Sequence, residues 1–148
     1  MKVYLASDHA GFDLKKAIKK YLLEKDIELE DCGAYELNAA DDYPDFISKA
    51  AEKVSFDSTS RGIVFGKSGA GECIVANKIK NVRAVAGFNT DNVGLSRLDN
   101  DTNILCLGSI FVDLETAKKL VDTFLETRFS NEERHIRRIN KIKVIENK

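Results

Sequence analysis

Strand-like and helix-like stretches alternate from one end of this chain to the other, and that alternation limits what it can fold into. The spacing predicts strands over residues 2–6, 27–32, 61–65, 83–87 and 103–107. Helices are expected over residues 11–24, 45–54, 89–98, 114–127 and 131–146, with one more running from a glycine loop near residue 70 through Ile79. Phe12, Leu14, Ala17, Ile18, Tyr21 and Leu22 largely follow helical spacing, as do Phe46, Ile47, Ala50, Ala51 and Val54. Pro44 suits a first helical turn, and Asp113 suits a cap. Such alternation implies βαβ units, a parallel sheet and helices on both faces. The expected fold is therefore α/β: a three-layer α/β/α sandwich around a doubly wound, five-stranded parallel sheet, Rossmann-like, in a single domain over residues 1–148. Ligands in such folds bind beyond the carboxyl ends of the strands. Asp8 and His9, the loop 66–72, and the turns near 87–91 and 108–110 all fall on that edge.

The stretch from Arg61 to Lys78 carries the strongest chemical signal. Ile63, Val64 and Phe65 form a buried-strand run, and Gly66, Gly69 and Gly71 then let the backbone turn and approach a ligand closely. Backbone N–H groups at the start of the following helix lack partners and favour negative charge. An anion, or an anionic transition state, is expected at residues 67–71, with Glu72 beside it as a proton acceptor. A plain strand-to-helix turn is the alternative for this loop, and a helix-start carboxylate is the alternative for Glu72. Two better-known glycine motifs fail on specific residues. A phosphate-binding P-loop would need Lys and Ser or Thr where Glu72 and Cys73 stand. A dinucleotide fingerprint would need a third glycine where Ile74 stands.

Composition excludes several classes. The 148 residues carry a net charge of −1, which suggests neither nucleic acid nor an acidic membrane as a partner. No apolar run approaches membrane-spanning length, and residues 1–8 read as a strand entering a polar turn, not a signal peptide. Cys32, Cys73 and Cys106 are odd in number and lack zinc or disulfide spacing, so a reducing cytoplasm is the natural setting. With only His9 and His135 present, a histidine-built metal site is not expected, nor is a cofactor.

Five short motifs in register add to this reading. They are Ser7-Asp8-His9-Ala10-Gly11; Asp42-Tyr43-Pro44; Gly66-Lys67-Ser68-Gly69-Ala70-Gly71-Glu72 running on to Ala76-Asn77-Lys78; Leu95-Ser96-Arg97 with Asn100-Asp101-Thr102-Asn103; and Arg134-His135 with Arg138. In this order and spacing the chain closely resembles the ribose-5-phosphate isomerase B family, which also includes galactose-6-phosphate isomerase subunits. The resemblance covers essentially the whole chain. It implies a metal-free aldose–ketose isomerase of a sugar phosphate, most directly ribose 5-phosphate and ribulose 5-phosphate. It also implies homodimers, or dimers of dimers, whose active sites are completed by a neighbouring subunit.

The resemblance implies roles residue by residue. Many members use a cysteine base where this chain has Gly66; a second branch uses a glutamate matching Glu72. The backbone of Lys67, Ser68, Gly69, Ala70 and Gly71 then corresponds to the enediolate cradle, with the Ser68 hydroxyl as a further donor. Lys67 either supports the anion or points to solvent. Asp8 and His9 correspond to contacts with substrate hydroxyls and phosphate, Tyr43 lines the site, and Asn100 is a substrate contact. Arg134 and Arg138 lie one helical turn apart, so their guanidinium groups share a face and can clamp a phosphate, in the family by reaching into a partner's site. Asp99 stands where the family's ring-opening histidine is usual, and Ile110 where an arginine is frequent. Both changes loosen the choice of sugar. A tetrose or hexose phosphate isomerase, a sugar-phosphate-binding protein without turnover, and a nucleotide-binding flavodoxin-like module are the rival readings.

Overall fold

The structure, a computed structural model, describes residues 1–148. Its elements run in the order β1 (Val3–Ser7), α1 (Phe12–Glu24), β2 (Leu29–Asp31), α2 (Pro44–Phe56), β3 (Arg61–Gly66), α3 (Ala70–Ala76), β4 (Ala84–Ala86), α4 (Thr90–Asn100), β5 (Ile104–Gly108), α5 (Leu114–Glu126) and α6 (Glu133–Glu146). Successive strand residues point to opposite faces of a sheet, so a strand that is apolar throughout needs cover on both sides. That is how the core divides. Val3, Leu5, Ile63, Phe65, Leu105 and Leu107 face α1, α4 and α5. Tyr4, Ala6, Val64, Ile104 and Cys106 face α2 and α3. The result is the expected three-layer α/β/α arrangement.

All five strands are parallel, in the order β2-β1-β3-β5-β4. From β1 the chain crosses to β2 at one edge, and from β3 it crosses to β4 at the other. The turns that leave β1 and β3 therefore diverge and open a crevice at the carboxyl ends of these neighbouring strands. Ser7 pairs with Phe65 and Gly66 with Gly108, so the turns after β1, β3 and β5 meet on one rim.

The differences from expectation lie at the edges. β2 and β4 each have one strand neighbour and retain three residues, against the longer stretches expected at 27–32 and 83–87. α3 stops at Ala76 rather than continuing through Ile79, and Asn77 takes a second role at the sheet edge. Its side chain donates to the Ala84 carbonyl (3.0 Å) and accepts from the Ala84 amide (2.9 Å), so it covers the free edge of β4 as a strand would. The caps form as expected. Pro44 opens α2, and the Asp113 carboxylate accepts from the Thr116 amide at 2.7 Å. Asn89 and Asn92 form a reciprocal capping box on α4. α6 rests on its neighbours through His135 and Ile139, which are buried one turn apart, while most of its surface stays exposed. No helix is long and apolar enough to cross a membrane.

Phe65 is fully buried between β1 and β5, whereas Phe56, at the end of α2, is 90% exposed. Phe65→Ala should lower stability by about 3–5 kcal/mol. Phe56→Ala should stay within about 0.5 kcal/mol of the parent. Chemical denaturation of the two variants measures both.

Candidate active site

A carboxylate can be held away from water only where the backbone makes room for it, and Gly66 makes that room. A Cβ built on Gly66 would fall 1.9 Å from Glu72 Oε1 and 2.1 Å from its carboxyl carbon. The Glu72 carboxyl group thus occupies the space of the missing side chain and is only 3% exposed. No lysine, arginine or histidine pairs with it. Burial pushes its carboxyl above the ordinary value of 4.5; the nearby Asp8 charge adds to the shift, and the amides of Glu72 and Gly69 oppose it. A carboxylate poised in this way is a stronger base than one in water.

The loop in front of Glu72 is held from below. Gly69 has φ +79°, a conformation open to glycine, and Gly108 lets the loop descend, since a Cβ there would lie 2.5 Å from the Ser68 carbonyl. The Ser109 amide donates to the Gly66 carbonyl at 2.9 Å and the Ile110 amide to the Lys67 carbonyl at 3.2 Å. These bonds fix the carbonyls and leave most loop amides free: those of Lys67, Ser68 and Gly71 have no partner within the chain, and that of Gly69 faces the Glu72 carboxyl. The Ala70 amide donates to Ser68 Oγ at 3.2 Å. The Ser68 hydroxyl oxygen accepts within the loop, and its proton stays available as the further donor. Lys67 is exposed and makes no ion pair within the chain.

The turn after β1 forms the opposite wall. Asp8 is buried and accepts from the Gly11 amide at 3.1 Å, as in a helix-start turn. Ser109 Oγ donates to the Ala10 carbonyl at 2.9 Å and ties this turn to the one after β5. His9 Nδ1 lies 2.6 Å from Asp41 Oδ1, which also accepts the His9 amide at 3.0 Å. The Tyr43 ring lies against Gly71, within 3 Å of where a side chain there would begin. Asp41 was not singled out from the sequence. It sits in a loop without periodicity, and only its position before Asp42-Tyr43-Pro44 hinted at the rim. The donor atoms of Asp8, His9 and Asp41 lie within 4.8 Å of one another.

Asp99, Asn100, Arg134 and Arg138 are elsewhere. Arg83 Nε, just before β4 begins, donates to the Asn100 carbonyl at 2.9 Å, so the end of α4 lies at the amino ends of the strands. The Ser130 amide donates to the Leu98 carbonyl at 3.1 Å, and His135 Nε2 faces Asp99 Oδ1 at 3.4 Å, which brings the start of α6 to the same edge. Arg134 and Arg138 are exposed; Arg134 is held only by Glu132, at 2.7 Å. A five-residue strand is about 16 Å long, so within one chain these residues cannot reach Glu72. The expected site is divided into two clusters on opposite edges of the sheet.

A family model described as Ribose/Galactose Isomerase matches residues 3–142. The chain belongs to this family. A ribose-5-phosphate isomerase B of Mycolicibacterium paratuberculosis is 40% identical over 140 residues, which cover 95% of this chain and 88% of that one. Among solved structures, ribose-5-phosphate isomerase B from Mycoplasma genitalium, with bound ribulose 5-phosphate, superposes with a TM-score of 0.95 at 39% identity, covering 99% of this chain and 97% of that one. The Clostridium thermocellum enzyme superposes with a TM-score of 0.94 at 40% identity, covering 99% and 98%. Family membership accounts for the five motifs, and the fold of the relatives is the fold described above.

The buried carboxyl has a consequence for stability. Because the folded value of Glu72 is raised above 4.5, the folded chain holds the proton more tightly than the unfolded one. Stability falls as pH rises through the window between the two values, and the deficit persists above it. Glu72→Gln should therefore be more stable than the parent at pH 8 and should converge with it below the ordinary carboxyl value. Denaturation midpoints against pH measure this.

Proposed function

We propose that the chain is an aldose–ketose isomerase of a sugar phosphate, interconverting ribose 5-phosphate and ribulose 5-phosphate through an enediolate. One observation carries this reading: a buried carboxylate without a cation, seated on Gly66 beside unpaired loop amides at the sheet's switch point. In the open-chain aldose, Glu72 takes the proton from C2 while the carbonyl oxygen at C1 gains negative charge. The free amides of Lys67, Ser68 and Gly71 would face that developing oxyanion and stabilise it. Glu72 then returns the proton to C1, and the O2 proton passes to O1, which completes the ketose. Asp8, His9 and Tyr43 hold the sugar against this wall. No step needs a redox partner, since hydrogen moves only within the substrate.

The phosphate and the ring require the other cluster. Arg134 and Arg138 from a second copy of the chain would clamp the phosphate, with Asn100 beside them. Asp99 would exchange protons during ring opening of the furanose. The catalytic unit is then a homodimer, or a dimer of dimers, in which α6 of each single-domain chain reaches its neighbour's crevice. The separation of the two clusters within one chain and the apolar surface on α4 and α6 (Leu95, Leu98, Ile136) support this assembly. Free thiols at Cys32, Cys73 and Cys106 support a cytoplasmic setting. Asp99 in place of histidine, and the exposed Ile110 in place of arginine, favour one second reading: the same chemistry on a four- or six-carbon sugar phosphate. A coupled assay across four-, five- and six-carbon sugar phosphates separates the two.

Two outcomes test the mechanism. Glu72→Gln should lose at least about 100-fold in kcat while remaining folded; turnover near that of the parent would remove Glu72 from the reaction. Mixing inactive Glu72→Gln chains with inactive Arg134→Ala/Arg138→Ala chains should restore about a quarter of the parent activity, because half of the dimers are hybrids with one intact site each. No recovery after subunits have exchanged would mean that the arginines act on their own chain's crevice or not at all.

A further inference from the structure

Asp41 remains outside the mechanism, and its surroundings explain why it is there. A turn at residues 38–41, closed by the Asp41 amide on the Asn38 carbonyl (3.1 Å) and the Ala40 amide on Asn38 Oδ1 (3.0 Å), directs the Asp41 side chain inward. There it is 7% exposed. Its Oδ1 takes two hydrogen bonds, both from His9, and its Oδ2 is buried with no partner at all. No lysine or arginine of this chain reaches Asp41 or Asp8. A buried carboxylate in this position needs a positive charge, and the His9 ring is the group that can carry one. With Nδ1 committed to Asp41 at 2.6 Å, the free donor is Nε2 on the far side of a ring that is 36% exposed.

The rim around His9 is short of cations. Along the walls of the crevice, Asp8, Asp41 and Glu72 face inward, against His9 and the exposed Lys67. The turn after β5, tied to Ala10 by Ser109, brings Ile110 alongside rather than a charged residue. A dianionic phosphate entering this wall meets one fixed group that can be positive, and Asp41 is what makes it so.

We propose that Asp41 is the positioning residue of His9: it fixes the ring with Nε2 turned toward the substrate and keeps it an imidazolium, so that His9 is this chain's own cationic contact to the substrate's phosphate. This rests on the sugar-phosphate reading above. The pair with Asp41 also raises His9 above the ordinary histidine value of 6.5, with the charge of Asp8 acting in the same direction and partial burial against it. The pair's contribution to stability, and the grip on phosphate, are therefore fully present below 6.5 and lost as pH rises through the raised value.

The chain has two histidines, His9 and His135, so its imidazole signals can be assigned by NMR from their loss in His9→Asn and His135→Asn. In the parent, His9 should titrate above the ordinary histidine value, and in Asp41→Asn it should return toward it. KM for ribose 5-phosphate in Asp41→Asn should rise several-fold between pH 6.5 and the value at which the parent His9 is found to titrate, remain near the parent at pH 6, and leave kcat within about threefold. Inorganic phosphate, as a competitor, should weaken over the same pH range. A residue that merely held the loop would raise KM equally at pH 6 and in that range and leave the titration of His9 in place; either result overturns the proposal. Asp41→Ser, a smaller neutral replacement, repeats the test independently of how the asparagine packs. If the parent turns over no sugar phosphate, the isomerase reading falls, while the histidine titration and phosphate binding still decide the role of Asp41.

Discussion

Glu72 can bury its carboxyl group because position 66 has no side chain, and much of the neighbourhood follows from that steric fact. The two positions compete for one volume. Any Cβ at Gly66 would force the Glu72 carboxyl group out of its present seat, so the two side chains cannot occupy that volume together. Holding the group there costs free energy, since no cation offsets the lost hydration. The cost appears as a raised carboxyl value, which is the property a general base near neutral pH requires. If Glu72 is the base, as proposed, local instability and catalytic strength have the same origin.

The loop that completes this wall is rigid for reasons that lie outside it. Its carbonyls are held by the Ser109 and Ile110 amides, and its descent depends on Gly108. The amides are left free because the carbonyls are spoken for, so on the proposed mechanism the surface facing the oxyanion would need no rearrangement when charge develops. The end of β5 therefore shapes the loop without supplying a side chain to it. This follows from the strand order, which places β5 directly beside β3 although α3, β4 and α4 separate them in the chain.

The fold was legible because its signals are local. Apolar strand runs, Pro44, Asn89 and Asp113 each specify an element or a boundary without reference to distant residues. The short edge strands were harder, since each has a single neighbour and pairs with only three of that neighbour's five residues. The site was legible as a roster more than as a geometry. Glu72 could be named, but its depth depends on Gly66, a relation between two residues that only the backbone path reveals. Asp99 and Asn100 could be named too, yet only the direction of α4 places them at the amino ends of the strands. Asp41 had no signal beyond its neighbours, because its meaning comes from a turn that carries it 32 residues back along the chain to His9.

The division into two clusters also has an electrostatic logic. A crevice built for proton abstraction from carbon needs an uncompensated carboxylate, so strong cations cannot sit permanently beside Glu72 without lowering its basicity. The phosphate at the other end of the same small substrate needs cations. A single rigid rim would have to hold both within a few ångströms of one another. Here the rim keeps one conditional cation, His9, balanced by its own carboxylate, and the permanent guanidinium groups are carried on α6 at the far edge of the sheet. If those groups are delivered by another copy of the chain, they arrive at the phosphate end alone, and the basicity of Glu72 is preserved by distance. On this view the assembly separates two charge environments that one chain could not hold so close together.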